Sequence, residues 1–183
     1  VLTLNAANTT NTGTIAAGSH LDINGNIDNR NLLFAGSLLT IDGNVSNTAN
    51  IYSNQDAFIS GATVTNTGGT IAAAQDLSIS GTILNTYSGE LEFSEGETTT
   101  QEVYSINDPQ GWGWHADRKE RLITERESRT ITTYEAVLSG KVGVIASGGN
   151  MWLSGNITNS FSTISAGGNL DVSGQKFNSV SAS

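Results

Sequence analysis

A unit of 18–20 residues repeats along this chain, and that repeat limits the fold more than any other feature. GTIAAGSHLDINGNIDN (Gly13 to Asn29) is followed by NLLFAGSLLTIDGNVSN (Asn31 to Asn47), ANIYSNQDAFISGATVTN (Ala49 to Asn66) and GTIAAAQDLSISGTILN (Gly69 to Asn85). After a gap the pattern resumes as VIASGGNMWLSGNITN (Val144 to Asn159) and TISAGGNLDVSGQKFN (Thr163 to Asn178). One glycine recurs at Gly25, Gly43, Gly61, Gly81, Gly155 and Gly174, at intervals of 18, 18, 20 and 19 outside the gap. An apolar pair precedes it each time: Leu21/Ile23, Leu39/Ile41, Ala57/Ile59, Leu77/Ile79, Met151/Leu153 and Leu170/Val172. Six residues upstream of each pair stands Ile15, Leu33, Ile51, Ile71, Ile145 or Ile164. An Asn closes each unit, at Asn29, Asn47, Asn66, Asn85, Asn159 and Asn178, and Leu2, Leu4 and Asn11 form a partial unit before the first.

Apolar residues alternate with polar ones over short runs, as in strands, and Gly and Asn interrupt the runs, as in turns. No segment shows helical spacing. Three short strands and three turns make one coil, and coils stacked at the strand spacing of about 4.8 Å make a solenoid. The expected class is all-β: a right-handed parallel β-helix of 18–20-residue coils. A full aliphatic burial contributes roughly 1.5–3 kcal/mol, so the few such residues of one coil cannot offset its ordering entropy without neighbours. Asn tolerates left-handed backbone and bonds its own turn. Stacked amides also bond one another between coils, so the Asn column is expected to be a structural ladder.

Residues 87–139 break the repeat. They hold all nine Glu, two of the three Trp, three of the four Tyr and the single Pro, and carry −6 of the net charge of −9. The stretches Glu90 to Ile106 and Lys119 to Leu138 read as strands, and NDPQGWGWHADR between them reads as a turn-rich loop. The expected organisation is therefore coils over 1–86, an inserted antiparallel β-hairpin over 87–139, and coils of the same solenoid over 140–183. With its tip near Trp112, the hairpin would set Glu102, Glu97 and Glu95 roughly opposite Arg121, Arg126 and Arg129, each pair favoured by about tenths of a kcal/mol.

Little in the chain suggests chemistry. With no Cys there are no disulfides and no thiol chemistry. A pI near 4.4 argues against nucleic acid or an anionic membrane as partner. No run of 18 apolar residues is present, so stable membrane insertion is not expected. DINGNID (Asp22 to Asp28) has its Gly at the wrong place for a calcium loop and no closing Glu. His20 and His115 lack a second ligand nearby in sequence, and Asp56 and Asp76 share a column that reads as an exposed turn position rather than a cation site. Asn8, Asn44 and Asn156 begin N-x-S/T sequons that an Asn/Thr-rich repeat produces by chance. No catalytic, cofactor or metal site is expected. Tyr104, Trp112, Trp114 and His115 are the candidate partner contacts, as aromatic and ring-bearing residues in or beside the hairpin loop.

The coils resemble the haemagglutinin repeats of two-partner-secretion exoproteins, on NTGGTIAAAQDLSISG (Asn66 to Gly81) and STISAGGNLDVSG (Ser162 to Gly174). AAAQD at Ala72 to Asp76 and SNQDA at Ser53 to Ala57 depart from the glycine-rich form of that repeat. The insertion followed by VIASGGNMWLSGNITN is similar to a feature of filamentous haemagglutinins and contact-dependent inhibition effectors. The resemblance implies a secreted or bacterial cell-surface filament, exported through an outer-membrane transporter barrel, that presents an adhesive part to a target-cell receptor or glycan or delivers a toxin. On that expectation the segment is structural and not an enzyme. The competing classes are a receptor- or glycan-binding module acting through the hairpin and a β-helix polysaccharide-active enzyme, which would need several charged residues converging on adjacent coils.

Overall fold

The computed structural model describes residues 1–89, 91–106 and 123–180, and every regular element among them is a strand. The elements are β1 (Leu2–Asn11), β2 (Thr14–Ala17), β3 (His20–Asn29), β4 (Leu32–Ala35), β5 (Leu38–Asp42), β6 (Val45–Asn47), β7 (Asn50–Ser53) and β8 (Asp56–Thr67). They continue as β9 (Thr70–Ala73), β10 (Leu77–Thr86), β11 (Leu91–Ile106), β12 (Ile123–Leu138), β13 (Val144–Ser147), β14 (Met151–Ser160), β15 (Thr163–Ala166) and β16 (Leu170–Val180). The chain forms two compact units, one from Val1–Glu90 with Ser139–Ser183 and the other from Leu91–Leu138.

The first unit is a parallel β-helix of about seven turns. Its longer sheet runs β1-β3-β5-β8-β10-β14-β16, with β6 between β3 and β8, and its shorter sheet runs β2-β4-β7-β9-β13-β15. The repeat predicts three separate strands per coil. Instead, most coils carry one short strand and one long strand that bends at the repeat glycine; only β5 and β6 are interrupted there.

That bend explains the glycine column. Gly25, Gly81 and Gly155 have φ of 128°, 132° and 117°, which side chains avoid. Each also lies against the rung before it: a Cβ on Gly81 would sit 1.9 Å from the Gly61 carbonyl oxygen. The 20-residue interval is absorbed at such corners. The register slips by one residue between Ser80 and Thr82 against β8, at Gly61 and Ala62, and a further residue is taken up at Gly68 and Gly69, where Gly68 has a φ of 63°.

The interior is built from columns in register. Leu2, Leu21, Leu39, Ala57, Leu77, Met151 and Leu170 align, as do Leu4, Ile23, Ile41, Ile59, Ile79, Leu153 and Val172. Ile15, Leu33, Ile51, Ile71, Ile145 and Ile164 form the column of the short sheet. Ile27, Val45, Val64, Ile83 and Ile157 line the remaining wall. Nearly all of these are buried in the inner coils, whereas Leu170, Val172 and Phe177 on the last rung are exposed.

The solenoid continues directly across the insertion. β10 pairs with β14 and β9 with β13, although 74 residues separate Asn85 from Asn159. The chain leaves and re-enters at one point: the Ser88 N–H donates to the Lys141 carbonyl (3.0 Å), the Lys141 N–H donates to Ser88 Oγ (2.9 Å), and the Gly140 N–H donates to Tyr87 Oη. Gly89 and Gly140 lie so close that a Cβ on Gly89 would sit 2.7 Å from the Gly140 nitrogen.

The second unit is the antiparallel pair β11–β12. Its register differs from the one expected from charge pairing. Arg126 lies opposite Tyr104, Arg129 opposite Gln101, Glu102 opposite Ser128 and Glu95 opposite Tyr134, while Glu97 falls in an irregularity between Glu95 and Thr98. Pairing begins where Leu91 meets Leu138, and the register slips by one residue between Glu95 and Thr98 and again between Ser105 and Ile106. Surface ion pairs worth about tenths of a kcal/mol cannot shift a ladder of backbone bonds already in register.

Because exit and re-entry adjoin, residues 91–138 are expected to be dispensable for the coils. Their deletion, joining position 90 to Ser139, is expected to keep a β-type far-UV CD spectrum and to move Tm by no more than about 5 °C. Loss of the cooperative transition would show that the coils depend on the inserted segment.

Candidate functional site

Asn11, Asn29, Asn47, Asn66, Asn85 and Asn159 form one buried column. Each Nδ2 donates to the Oδ1 of the next residue, at 2.7, 2.8, 2.7, 2.8 and 2.8 Å in turn. The same amides bond the turn carbonyls beside them: Asn66 donates to Gly69 (2.8 Å) and Val144 (3.1 Å), and Asn85 to Gly143 (3.2 Å) and Thr163 (2.8 Å). No buried side-chain N or O lacks a partner among the described residues. A buried, saturated column offers nothing to a ligand, so its role is to close each coil onto the next.

Asn178 is not part of this ladder, contrary to its place in the repeat. The register slips by one residue between Ser154 and Asn156, so Lys176 aligns with Asn156, Phe177 with Ile157, Asn178 with Thr158 and Ser179 with Asn159. Asn178 is exposed, and Asn159 Nδ2 reaches Ser179 Oγ at 3.5 Å instead. The unshifted spacing would set Lys176 opposite Ile157, where the slip places Phe177 instead.

The hairpin candidates are only partly placed. Tyr104 lies in β11. Trp112, Trp114 and His115 lie outside the described residues.

Asp56 and Asp76 do share a column, and it serves the coil. Asp56 Oδ1 accepts the Asp76 N–H (3.1 Å), Asp76 Oδ1 accepts the Asn150 N–H (2.7 Å), and Asn150 Oδ1 accepts the Asn169 N–H (3.0 Å). This is a polar staircase of side chain to next-rung backbone. Asp22 and Asp171 share the neighbouring column five rungs apart. No group of three or more His, Cys, Asp or Glu converges among the described residues.

Beyond the corner glycines, the outer wall forms a groove of about 480 Å³. Asn8, Asn26, Asn44 and Thr63 line one side, and Thr10, Asp28, Ser46 and Thr65 the other. Asn26 Nδ2 donates to Asn8 Oδ1 (3.0 Å), and Asn26 Oδ1 and Asn44 Oδ1 accept the Asn44 and Thr63 N–H groups. Asp28 pairs with Arg30 at 2.8 Å. These are the contacts of a self-bonded wall, with no nucleophile poised beside a base.

Two exposed aromatic residues escape a reading confined to the core columns and the hairpin. Phe58 and Trp152 are 47% and 42% exposed on the outer face of the long sheet. The signal lies in the repeat: each sits in the outward slot between two core positions, in AFIS and MWLS. A separate pair, Phe34 and Tyr52, stacks on adjacent rungs of the short sheet with ring centroids 5.9 Å apart.

No protein-family profile matches the chain, and neither a curated protein nor a solved structure matches it significantly.

The ladder and its register give a paired prediction. Asn66→Ala removes three donor contacts and one acceptor in the middle of the column and is expected to cost about 2–4 kcal/mol. Asn178→Ala should change stability by less than about 0.5 kcal/mol. Urea denaturation of both variants measures the contrast, and equal losses would place Asn178 back in the ladder.

Proposed function

We propose that this chain is a non-enzymatic structural segment of a secreted bacterial cell-surface filament, serving to space and present an adhesive or toxin-bearing part. The supporting observation is the amide ladder, which runs from Asn11 to Asn159 and crosses the insertion point between Asn85 and Asn159 without a missing rung. A solenoid that accepts 53 foreign residues (87–139) while keeping every interior column in register is built to maintain a continuous axis.

The haemagglutinin-like repeat adds the route. In two-partner secretion the chain passes an outer-membrane barrel unfolded and folds outside. A cysteine-free, low-charge chain whose coils nucleate on one another suits that passage. On this reading the outer columns and the insertion carry recognition, and the interior carries none of it.

The test is export. Residues 1–183 placed between a two-partner secretion domain and a reporter, and expressed with the matching barrel, should put the reporter at the cell surface within reach of added protease. The purified chain should leave neutral and acidic polysaccharides unhydrolysed. Retention of the reporter inside the cell, or turnover of any polysaccharide, would contradict the proposal.

A further inference from the structure

We propose that the outer face of the long sheet around Phe58, Ser78 and Trp152 is a binding platform for an extended, neutral, β-1,4-linked glycan lying along the solenoid axis. Phe58, Ser78 and Trp152 occupy one column on three successive rungs. Their neighbours in sequence, Ala57, Ile59, Met151 and Leu153, are buried in the core, which holds both aromatic side chains outward. Every other exposed large apolar residue among those described lies at Val1, on the inserted strands, at Val142 or on the last rung. These two stand alone on an inner stretch of coil.

Their spacing suits a polysaccharide. Two rungs separate the backbone positions that carry the rings by about 9.5 Å, close to the length of one disaccharide in an extended β-1,4-linked chain. In such a chain alternate pyranose rings present equivalent apolar C–H faces, and those faces pack on aromatic rings as other apolar surfaces do. The intervening sugar would lie over Ser78, whose small side chain leaves clearance between the two aromatics.

The flanks supply hydroxyl partners at the same period. Ser60, Ser80 and Ser154 align on one side of the aromatic column. Asp56 and Asp76 align on the other, followed by Asn150. One oxygen of each carboxylate is taken by the next rung's N–H, and the other has no partner among the described residues. No Lys or Arg stands in these three columns from end to end. The two aspartates repel an anionic glycan, so the surface selects a neutral one.

Affinity electrophoresis of the full chain through gels containing hydroxyethyl cellulose, with titration by cellohexaose and chitohexaose, tests this. The wild-type chain should be retarded and bind at least one of the two hexasaccharides. Phe58→Ala and Trp152→Ala should each weaken binding about tenfold, Trp152→Phe should retain most of it, and Tyr134→Ala on the inserted unit should leave it unchanged. Far-UV CD of each variant confirms that the coils remain folded. No retardation together with no binding of either hexasaccharide would overturn the proposal, and so would binding that Phe58→Ala and Trp152→Ala leave intact.

Discussion

A side-chain amide has two hydrogens to give and one oxygen to offer, and in this fold both ends are used within a buried wall. Asn29, Asn47, Asn66 and Asn85 are fully excluded from water, yet each donates to the next rung and to the turn carbonyls beside it. Burying an amide without such partners costs several kcal/mol, so each Asn is tolerable only because its neighbours are aligned. The dependence is mutual. The ladder fixes the axial register of every coil, and the aliphatic columns exclude the water that would otherwise compete for the amides. The corner glycines complete the arrangement, because carbonyls of the preceding rung lie where their side chains would be.

The same constraint explains what the sequence made legible. The three aliphatic columns and the glycine column align in the structure as the repeat predicts, because a parallel stack reproduces the sequence register rung by rung. Register slips, where one rung takes an added residue at the corner, are the places where counting fails. At Gly61 and Ala62 the addition is compensated, since Asn66 still reaches the ladder. After Gly174 the spacing to Asn178 is the usual four residues, yet the rung slips by one and Ser179 rather than Asn178 faces Asn159. A count of residues registers the first slip, where Asn66 lies five residues past its glycine, and misses the second.

The inserted hairpin was less legible for a different reason. Its existence follows from strand-rich, charge-alternating segments around a Pro- and Gly-containing loop, but no repeat calibrates its register. Weak cross-strand charge pairs gave a poor guide, because the backbone ladder that runs from Leu91 and Leu138 slips by one residue at Glu95/Thr98 before it reaches Arg129 and Arg126. Phe58 and Trp152 show the complementary blind spot. A search for core periodicity discards outward slots as solvent-facing, although a repeat that fills most of them with Ser, Thr, Asn or Asp makes an aromatic there conspicuous. The interior of such a solenoid records how it stacks, and the outward slots record what it can meet.

The central claim is that one continuous amide ladder joins the coils before the insertion to those after it. Hydrogen exchange of the Asn side-chain amides, followed by ¹⁵N NMR with residue-specific assignments, measures this directly. The Nδ2 hydrogens of Asn85 should exchange as slowly as those of Asn47 and Asn66, while those of Asn178 exchange at the rate of an exposed amide. Asn85 exchanging as fast as the exposed Asn24 would mean that the ladder is broken at the insertion and that the two sets of coils are not one stack.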